Sequence, residues 1–191
     1  MLINNWKKEI LTIPNLLSIF RIALIPAYLC IYLNADSADD YTAAAVILAV
    51  SCLSDMVDGW IARRFNMITN LGKLLDPVAD KLTQLALMIC LSVRHRALRL
   101  LLTVFLIKEF FQFFAMLLCL CRGKALDGAL PTGKLSTTVL FTTLTIMVLF
   151  PELDDRTVNY LTGVSLIFLL LAFGDYVRAY FGKNKKIYDL E

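Results

Sequence analysis

One histidine, His95, is all that this 191-residue chain contains, and its five cysteines (Cys30, Cys52, Cys90, Cys119 and Cys121) are dispersed through apolar stretches. That excludes a histidine-based metal centre. With neither zinc-like spacing nor a secreted disulfide framework, the cysteines read as small buried hydrophobes. Charge is scarce as well: Asp, Glu, Lys and Arg make up 18% of the chain and the net charge is only +3, too weak a basic balance for a nucleic-acid partner. No Gly/Ser-rich or Pro-rich linker and no tandem repeat interrupts it. Apolar residues fill the gap: they form 59% of the chain, with a mean hydropathy of +0.69, the composition of an integral membrane protein.

Crossing about 30 Å of hydrocarbon takes about 20 apolar residues in a helix. Six such spans are predicted, approximately Leu16 to Leu33, Tyr41 to Arg63, Gly72 to Val93, Leu98 to Cys121, Lys134 to Phe150 and Val158 to Phe181. The architecture expected is all-α, a single six-helix transmembrane domain over residues 14–182. Residues 1–13 mix apolar and charged positions up to Pro14 and read as an amphipathic helix lying in the interface with Trp6 as an anchor, unlike a secretory signal. Residues 183–191 form a basic tail.

Lys and Arg in the connections set the orientation. One side collects Lys7, Lys8, Arg63, Arg64, Arg122, Lys124, Lys134, Arg178, Lys183, Lys185 and Lys186. The other has only Arg94, Arg96, Arg99 and Arg156, beside Asp36, Asp39, Asp40, Glu152, Asp154 and Asp155. The expectation is a multi-pass cell-membrane protein with both termini in the cytoplasm. The Arg94/Arg96/Arg99 cluster runs against this rule, and nothing in the sequence explains it.

Against this apolar background, Asp55-Met-Val-Asp58-Gly59-Trp-Ile-Ala62-Arg63 is followed, eight residues later, by Gly72-Lys-Leu-Leu-Asp76-Pro-Val-Ala-Asp80. An Asp at the bilayer centre costs roughly 2.5 to 3.5 kcal/mol on insertion scales, so four in two consecutive spans mark a functional site. On a helix, Gly59 and Ala62 return to nearly the direction of Asp55 and Asp58, and Gly72, Asp76 and Asp80, spaced by four, line one face. Opposed carboxylates repel in low dielectric unless cations or protons lie between them. Oxygen-only ligands point to Mg²⁺ or Mn²⁺, and glycine permits close approach of a ligand or backbone. Arg63 at the end of the span is placed to pair with a phosphate or a carboxylate. Such a metal site suits phosphoryl chemistry, with Asp80 as the candidate base for an attacking hydroxyl. Two other readings compete. The acids could be ion-pair partners of Arg21, Lys73, Lys81 and Lys108 that hold the bundle together, or they could form part of an ion pathway or transporter. Their grouping near the cytoplasmic ends of two spans, without paired broken helices, disfavours the second.

The segment from Asp55 to Asp80 resembles the signature of the CDP-alcohol phosphotransferases, D-x-x-D-G-x-x-A-R-x8-G-x-x-x-D-x-x-x-D, at every fixed position. Ile13-Pro14-Asn15-Leu-Leu-Ser18-Ile-Phe-Arg21-Ile-Ala-Leu-Ile-Pro26 and Asn70-Leu-Gly72-Lys-Leu-Leu-Asp76-Pro77-Val-Ala-Asp80-Lys81 look most like the bacterial phosphatidylglycerophosphate synthases of that family. The resemblance implies transfer of the phosphatidyl group of CDP-diacylglycerol to an alcohol with release of CMP, by a homodimer whose active site is cytoplasmic. It implies two divalent ions, Mg²⁺ or Mn²⁺, on Asp55, Asp58, Asp76 and Asp80, with Asp80 also taking the proton. Gly59, Ala62, Arg63, Thr69 and Gly72 would contact or make room for the CDP moiety, together with Asn15, Ser18 and Arg21. Ordinary helix-end capping is the competing reading of Ser18 and Thr69, and a snorkelling or paired base that of Arg21.

A glycerol 3-phosphate acceptor calls for a basic pocket, for which Lys108, Arg122, Lys124, Lys134 and Arg178 are the candidates. Lys108-Glu109 replaces the Arg-Glu usual in glycerophosphate-using members, Met116 replaces a second Arg, and Ser136 replaces the second Lys of Gly-Lys-x-Lys-Thr. Cardiolipin synthases of the family, which accept phosphatidylglycerol, carry a polar uncharged residue where Ser136 stands.

Overall fold

Each acidic motif lies on a long helix. The computed structural model describes residues 12–65, 69, 72–121, 124–126, 130–181 and 187–189, without the side chains of residues 38, 56, 59, 62, 63, 73, 74, 120, 124–126 and 187–189. Among the described residues there are six helices, α1 (Ile13–Leu33), α2 (Ala38–Arg64), α3 (Gly72–Arg94), α4 (Arg96–Cys121), α5 (Pro131–Leu149) and α6 (Asp155–Phe181). Two three-residue strands, β1 (Lys124–Leu126) and β2 (Ile187–Asp189), pair antiparallel with Lys124 opposite Asp189. The six predicted spans therefore correspond to six helices, and part of the predicted tail is a strand. The predicted interfacial helix of residues 1–13 falls almost wholly outside the described residues.

By length and hydropathy, α1, α4, α5 and α6 can cross a membrane, which makes this a multi-pass membrane protein. At 27 and 23 residues, α2 and α3 are about 40 and 35 Å long and could reach across as well. They carry more charged residues than the other four, Asp55, Asp58, Asp76 and Asp80 among them. The charges that mark the site are among those that dilute the membrane signal of the helices bearing it.

Local chemistry sets the helix ends. Pro14 and Pro131 occupy the first turns of α1 and α5, where a missing N–H costs nothing. At the head of α2, Ser37 accepts from the Asp40 backbone N–H at 3.3 Å, and the Ser37 N–H and hydroxyl donate to Asp40 Oδ2 at 3.0 and 2.8 Å. This reciprocal cap holds the exposed Asp40 carboxyl below its usual range, chiefly through the Ser37 hydrogen bond. In the corner between α3 and α4, burial and then the neighbouring Arg94 push His95 down from its ordinary value, while Asp155 opposes them.

The chain forms two compact units, residues 1–90 and 91–191, the boundary falling in the last turns of α3. In the first, α1 packs on α2. The buried positions of α1 (Asn15, Ser18, Arg21, Tyr28 and Tyr32) recur at helical spacing, as do Ala44, Leu48, Ser51 and Asp58 of α2. Both stripes are apolar at one end and polar at the other: Tyr28, Tyr32 and Tyr41 form an aromatic run at the first, and Arg21 and Asp58 occupy the second. In the second unit, α6 packs against both α4 and α5. Leu98, Leu101, Leu140, Leu144 and Leu169 are fully buried, and the Ser165 hydroxyl donates to Thr143 Oγ1 at 2.9 Å between α6 and α5.

Among the described glycines of this second unit, Gly133 has the least room for a side chain. A Cβ there would lie 2.5 Å from the Tyr176 hydroxyl oxygen and 2.9 Å from Cε2 of its ring, and Tyr176 is itself buried. Gly133→Ala should therefore destabilise the protein by about 1–3 kcal/mol. Combining it with Tyr176→Phe, which removes the nearest atom, should recover part of the loss in a thermal-unfolding double-mutant cycle. Additive losses would show that the tyrosine is not the obstacle.

Candidate active site

The four carboxylates meet around one guanidinium. Arg21 projects from the middle of α1 and is 2% exposed. Its Nη1 lies 2.5 Å from Asp55 Oδ1 and 3.0 Å from Asp80 Oδ1, and its Nη2 lies 3.1 Å from Asp58 Oδ2 and 3.8 Å from Asp76 Oδ1. Each terminal nitrogen thus bridges one Asp of α2 and one of α3. The acids are matched in opposed order, Asp55 with Asp80 and Asp58 with Asp76, as expected of consecutive antiparallel helices. A planar fork that serves two partners through each nitrogen is available to arginine and not to lysine.

Surrounding contacts hold this arrangement. The Ser18 hydroxyl lies 2.6 Å from Asp76 Oδ1 and 3.1 Å from the Pro14 carbonyl. One turn nearer the start of α1, Asn15 Nδ2 donates to Thr69 Oγ1 at 2.9 Å, and Thr69 Oγ1 accepts from the Gly72 N–H at the same distance. Thr69 is therefore a cap for α3, the competing reading that its sequence position left open. Together Asn15 and Ser18 tie α1 to the first turns of the helix that carries Asp76 and Asp80. Gly72 has a matching explanation: a Cβ on it would stand 2.6 Å from Asn15 Oδ1 and 3.1 Å from Thr69 Oγ1. The space that the missing side chain leaves is filled by Asn15.

Metal binding is compatible with this donor set. Four carboxylates and one guanidinium sum to a formal charge of −3, every donor is oxygen, and three of the acids are accessible. The side chains of Asp55, Asp76 and Asp80 are 50%, 49% and 52% exposed, against 4% for Asp58. Such a set suits Mg²⁺ or Mn²⁺. Among the described residues, however, no three acidic, histidine or cysteine side chains are gathered closely enough to cage an ion as they stand. The carboxylates converge on the guanidinium instead.

Of the other residues singled out by sequence, Gly59, Ala62 and Arg63 lie on α2 with side chains outside the described set. Arg122 is also outside it, and Lys124 contributes only its backbone in β1. In the second unit Lys108 is 2% exposed, its Nζ 2.8 Å from Glu109 Oε1 and 5.8 Å from the centre of the Tyr176 ring. Lys134 is exposed, and Arg178 is exposed with its Nη1 3.9 Å from Asp175 Oδ1. Ser136 is 1% exposed, and among the described residues its hydroxyl has no hydrogen-bond partner. Sequence offers Arg21 as one of four possible ion-pair mates of the acids; what it leaves open is that this one guanidinium meets all four. The signal for it was present, since Arg21 shares a helix face with Asn15 and Ser18.

This geometry and the signature carried on α2 and α3 define a class. The family model for CDP-alcohol phosphatidyltransferases matches residues 11–174, and the chain belongs to that family. It is 42% identical over 91 residues to a cardiolipin synthase (CMP-forming) of Streptomyces coelicolor, a match covering 46% of this chain and 41% of that protein. It is 44% identical over 71 residues to a CDP-diacylglycerol–glycerol-3-phosphate 3-phosphatidyltransferase of Rickettsia bellii, covering 37% and 38%. For the enzyme of that name in Bacillus subtilis the identity is 38% over 90 residues, covering 41% and 47%. In each case the chain spans less than half the length of the relative it matches.

Substituting Gly72 by Ala tests the anchor between α1 and α3. Because Asn15 is buried and held by Thr69, the added methyl should destabilise the first unit by about 1–3 kcal/mol, read as a lower melting temperature of the purified protein. An unchanged melting temperature would mean that the Asn15 and Thr69 contact yields without cost.

Proposed function

We propose that the chain transfers the phosphatidyl group of CDP-diacylglycerol to glycerol 3-phosphate, giving phosphatidylglycerophosphate and CMP. The observation that carries this reading is the convergence of Asp55, Asp58, Asp76 and Asp80 within one unit, on the two helices that hold the family's signature. An acceptor hydroxyl oxygen attacks the phosphorus bearing the diacylglycerol. The bond from that phosphorus to the bridging oxygen breaks, CMP leaves with the electron pair, and Asp80 takes the hydroxyl proton. Two divalent cations, Mg²⁺ or Mn²⁺, held by the four aspartates would offset the negative charge of the pyrophosphate and of the departing CMP. Asn15, Ser18, Arg21, Gly59, Ala62, Arg63, Thr69 and Gly72 form the donor side of the site in this reading. The protein works as a homodimer in the cell membrane, with all six helices spanning and the site and both termini cytoplasmic.

A second acceptor is favoured by one observation. Lys108 is already matched by Glu109, and Ser136 offers a buried hydroxyl without a partner where a cation would be needed to bind a phosphate monoester. That environment supports an acceptor whose phosphate is a diester, such as phosphatidylglycerol, which would make the enzyme a cardiolipin synthase.

CMP release from CDP-diacylglycerol with Mg²⁺ or Mn²⁺, with glycerol 3-phosphate and phosphatidylglycerol offered in parallel, decides between the two. Release with the first alone supports the leading reading, and release with the second alone replaces it. Asp76→Ala should lower turnover by at least about 100-fold, whereas Asp80→Asn should abolish turnover and retain part of the CDP-diacylglycerol binding. Equal loss of binding in Asp80→Asn would limit Asp80 to holding metal. Ser136→Lys should lower KM for glycerol 3-phosphate, and an unchanged KM would dismiss position 136 as a selector.

A further inference from the structure

Arg21 is bound to one carboxylate oxygen of each of the four acids that would hold a divalent cation. Its two terminal nitrogens take one oxygen from each of Asp55, Asp80, Asp58 and Asp76, at 2.5, 3.0, 3.1 and 3.8 Å. A cation cannot use these oxygens while the guanidinium lies between them, because two positive charges within a few ångströms repel strongly in this partly buried setting. The guanidinium is not fully satisfied either: its Nε–H is buried with no hydrogen-bond partner among the described residues. A buried donor left unmet carries a cost that a new acceptor, such as a phosphate oxygen, would remove. The acids themselves are unevenly exposed, with three of four open to solvent, so a cation can reach them without unfolding the pair of helices.

We infer that Arg21 is an exchangeable internal counter-cation. Without metal it holds α2 and α3 together by neutralising part of their opposed charge. When divalent ions take the carboxylates the guanidinium is displaced from them, and its freed N–H groups turn to the diphosphate of the nucleotide-lipid donor. Arg21 is thus a positioning residue before metal binds and a donor contact afterwards. The exchange makes metal and donor binding mutually reinforcing, since each takes over a partner that the other releases. The last step rests on the proposed reaction, whereas the competition between Arg21 and metal does not.

Direct Mn²⁺ binding and thermal unfolding, measured on the full-length purified protein without CDP-diacylglycerol, test the exchange. Arg21→Met should bind Mn²⁺ about tenfold or more tightly than wild type. Its metal-free melting temperature should fall by about 10 °C, and saturating Mn²⁺ should restore most of that fall. Arg21→Lys, which keeps the charge but loses the fork, should retain near-wild-type Mn²⁺ affinity with reduced metal-free stability. Weaker or unchanged Mn²⁺ binding in Arg21→Met would overturn the inference, because Arg21 would then support the metal-holding geometry or be indifferent to it. Should Arg21→Met fail to fold, wild type supplies the test. Mn²⁺ should raise the reactivity of Arg21 towards phenylglyoxal, with the adduct located by mass spectrometry, and protection that is equal with and without Mn²⁺ would sink the idea. Absence of CMP release with every acceptor would remove the proposed reaction and leave these metal readouts intact.

Discussion

Four carboxylates share one guanidinium in the first unit, and the local structure can be understood as what it takes to keep them there. Two negatively charged faces on consecutive helices would push apart in a low-dielectric setting. Arg21 offsets one of the four charges and bridges the helices through both terminal nitrogens. The remaining −3 is tolerable because Asp55, Asp76 and Asp80 are half open to solvent, while Asp58, the buried acid, has Arg21 Nη2 at 3.1 Å. A buried ion pair of this kind is weak evidence for stability in itself. Its worth lies in gathering oxygen donors where a polar ligand can reach them.

The contacts around the pair serve the same end. Asn15 and Ser18 lie one turn apart on α1 and meet Thr69 and Asp76, so α1 sets the position of α3 as well as supplying the arginine. The missing side chain at Gly72 admits Asn15, so this position has an internal contact to preserve. A family signature glycine can therefore act through the helix that carries the acids.

The second unit has different physics. Its helices pack through leucines and an aromatic group around Tyr176, and the polar side chains buried with them include Lys108 beside Glu109, Ser165 bonded to Thr143, and Ser136 without a hydrogen-bond partner among the described residues. In a membrane protein such groups face no bulk water to satisfy them. The unpartnered buried hydroxyl of Ser136 belongs to this unit, whereas the four carboxylates belong to the first.

Much of this was legible in sequence. Helix existence and approximate ends followed from apolar length, with Pro14 marking the start of the first. The signature placed four acids and their small neighbours on defined helix faces, because a period of 3.6 residues is a local property that spacing alone determines. The same local logic could not say which face meets which. Arg21 lies 34 to 59 residues before its four partners, and the sequence allowed it to be a donor contact, a snorkelling base or an ion-pair mate. Tertiary packing pairs Arg21 with the four acids and sets Asn15 beside Gly72, and packing within the second unit buries Ser136. Spacing along a helix is written in adjacent residues, whereas the partner of a charge depends on the whole arrangement that brings distant segments within hydrogen-bonding distance.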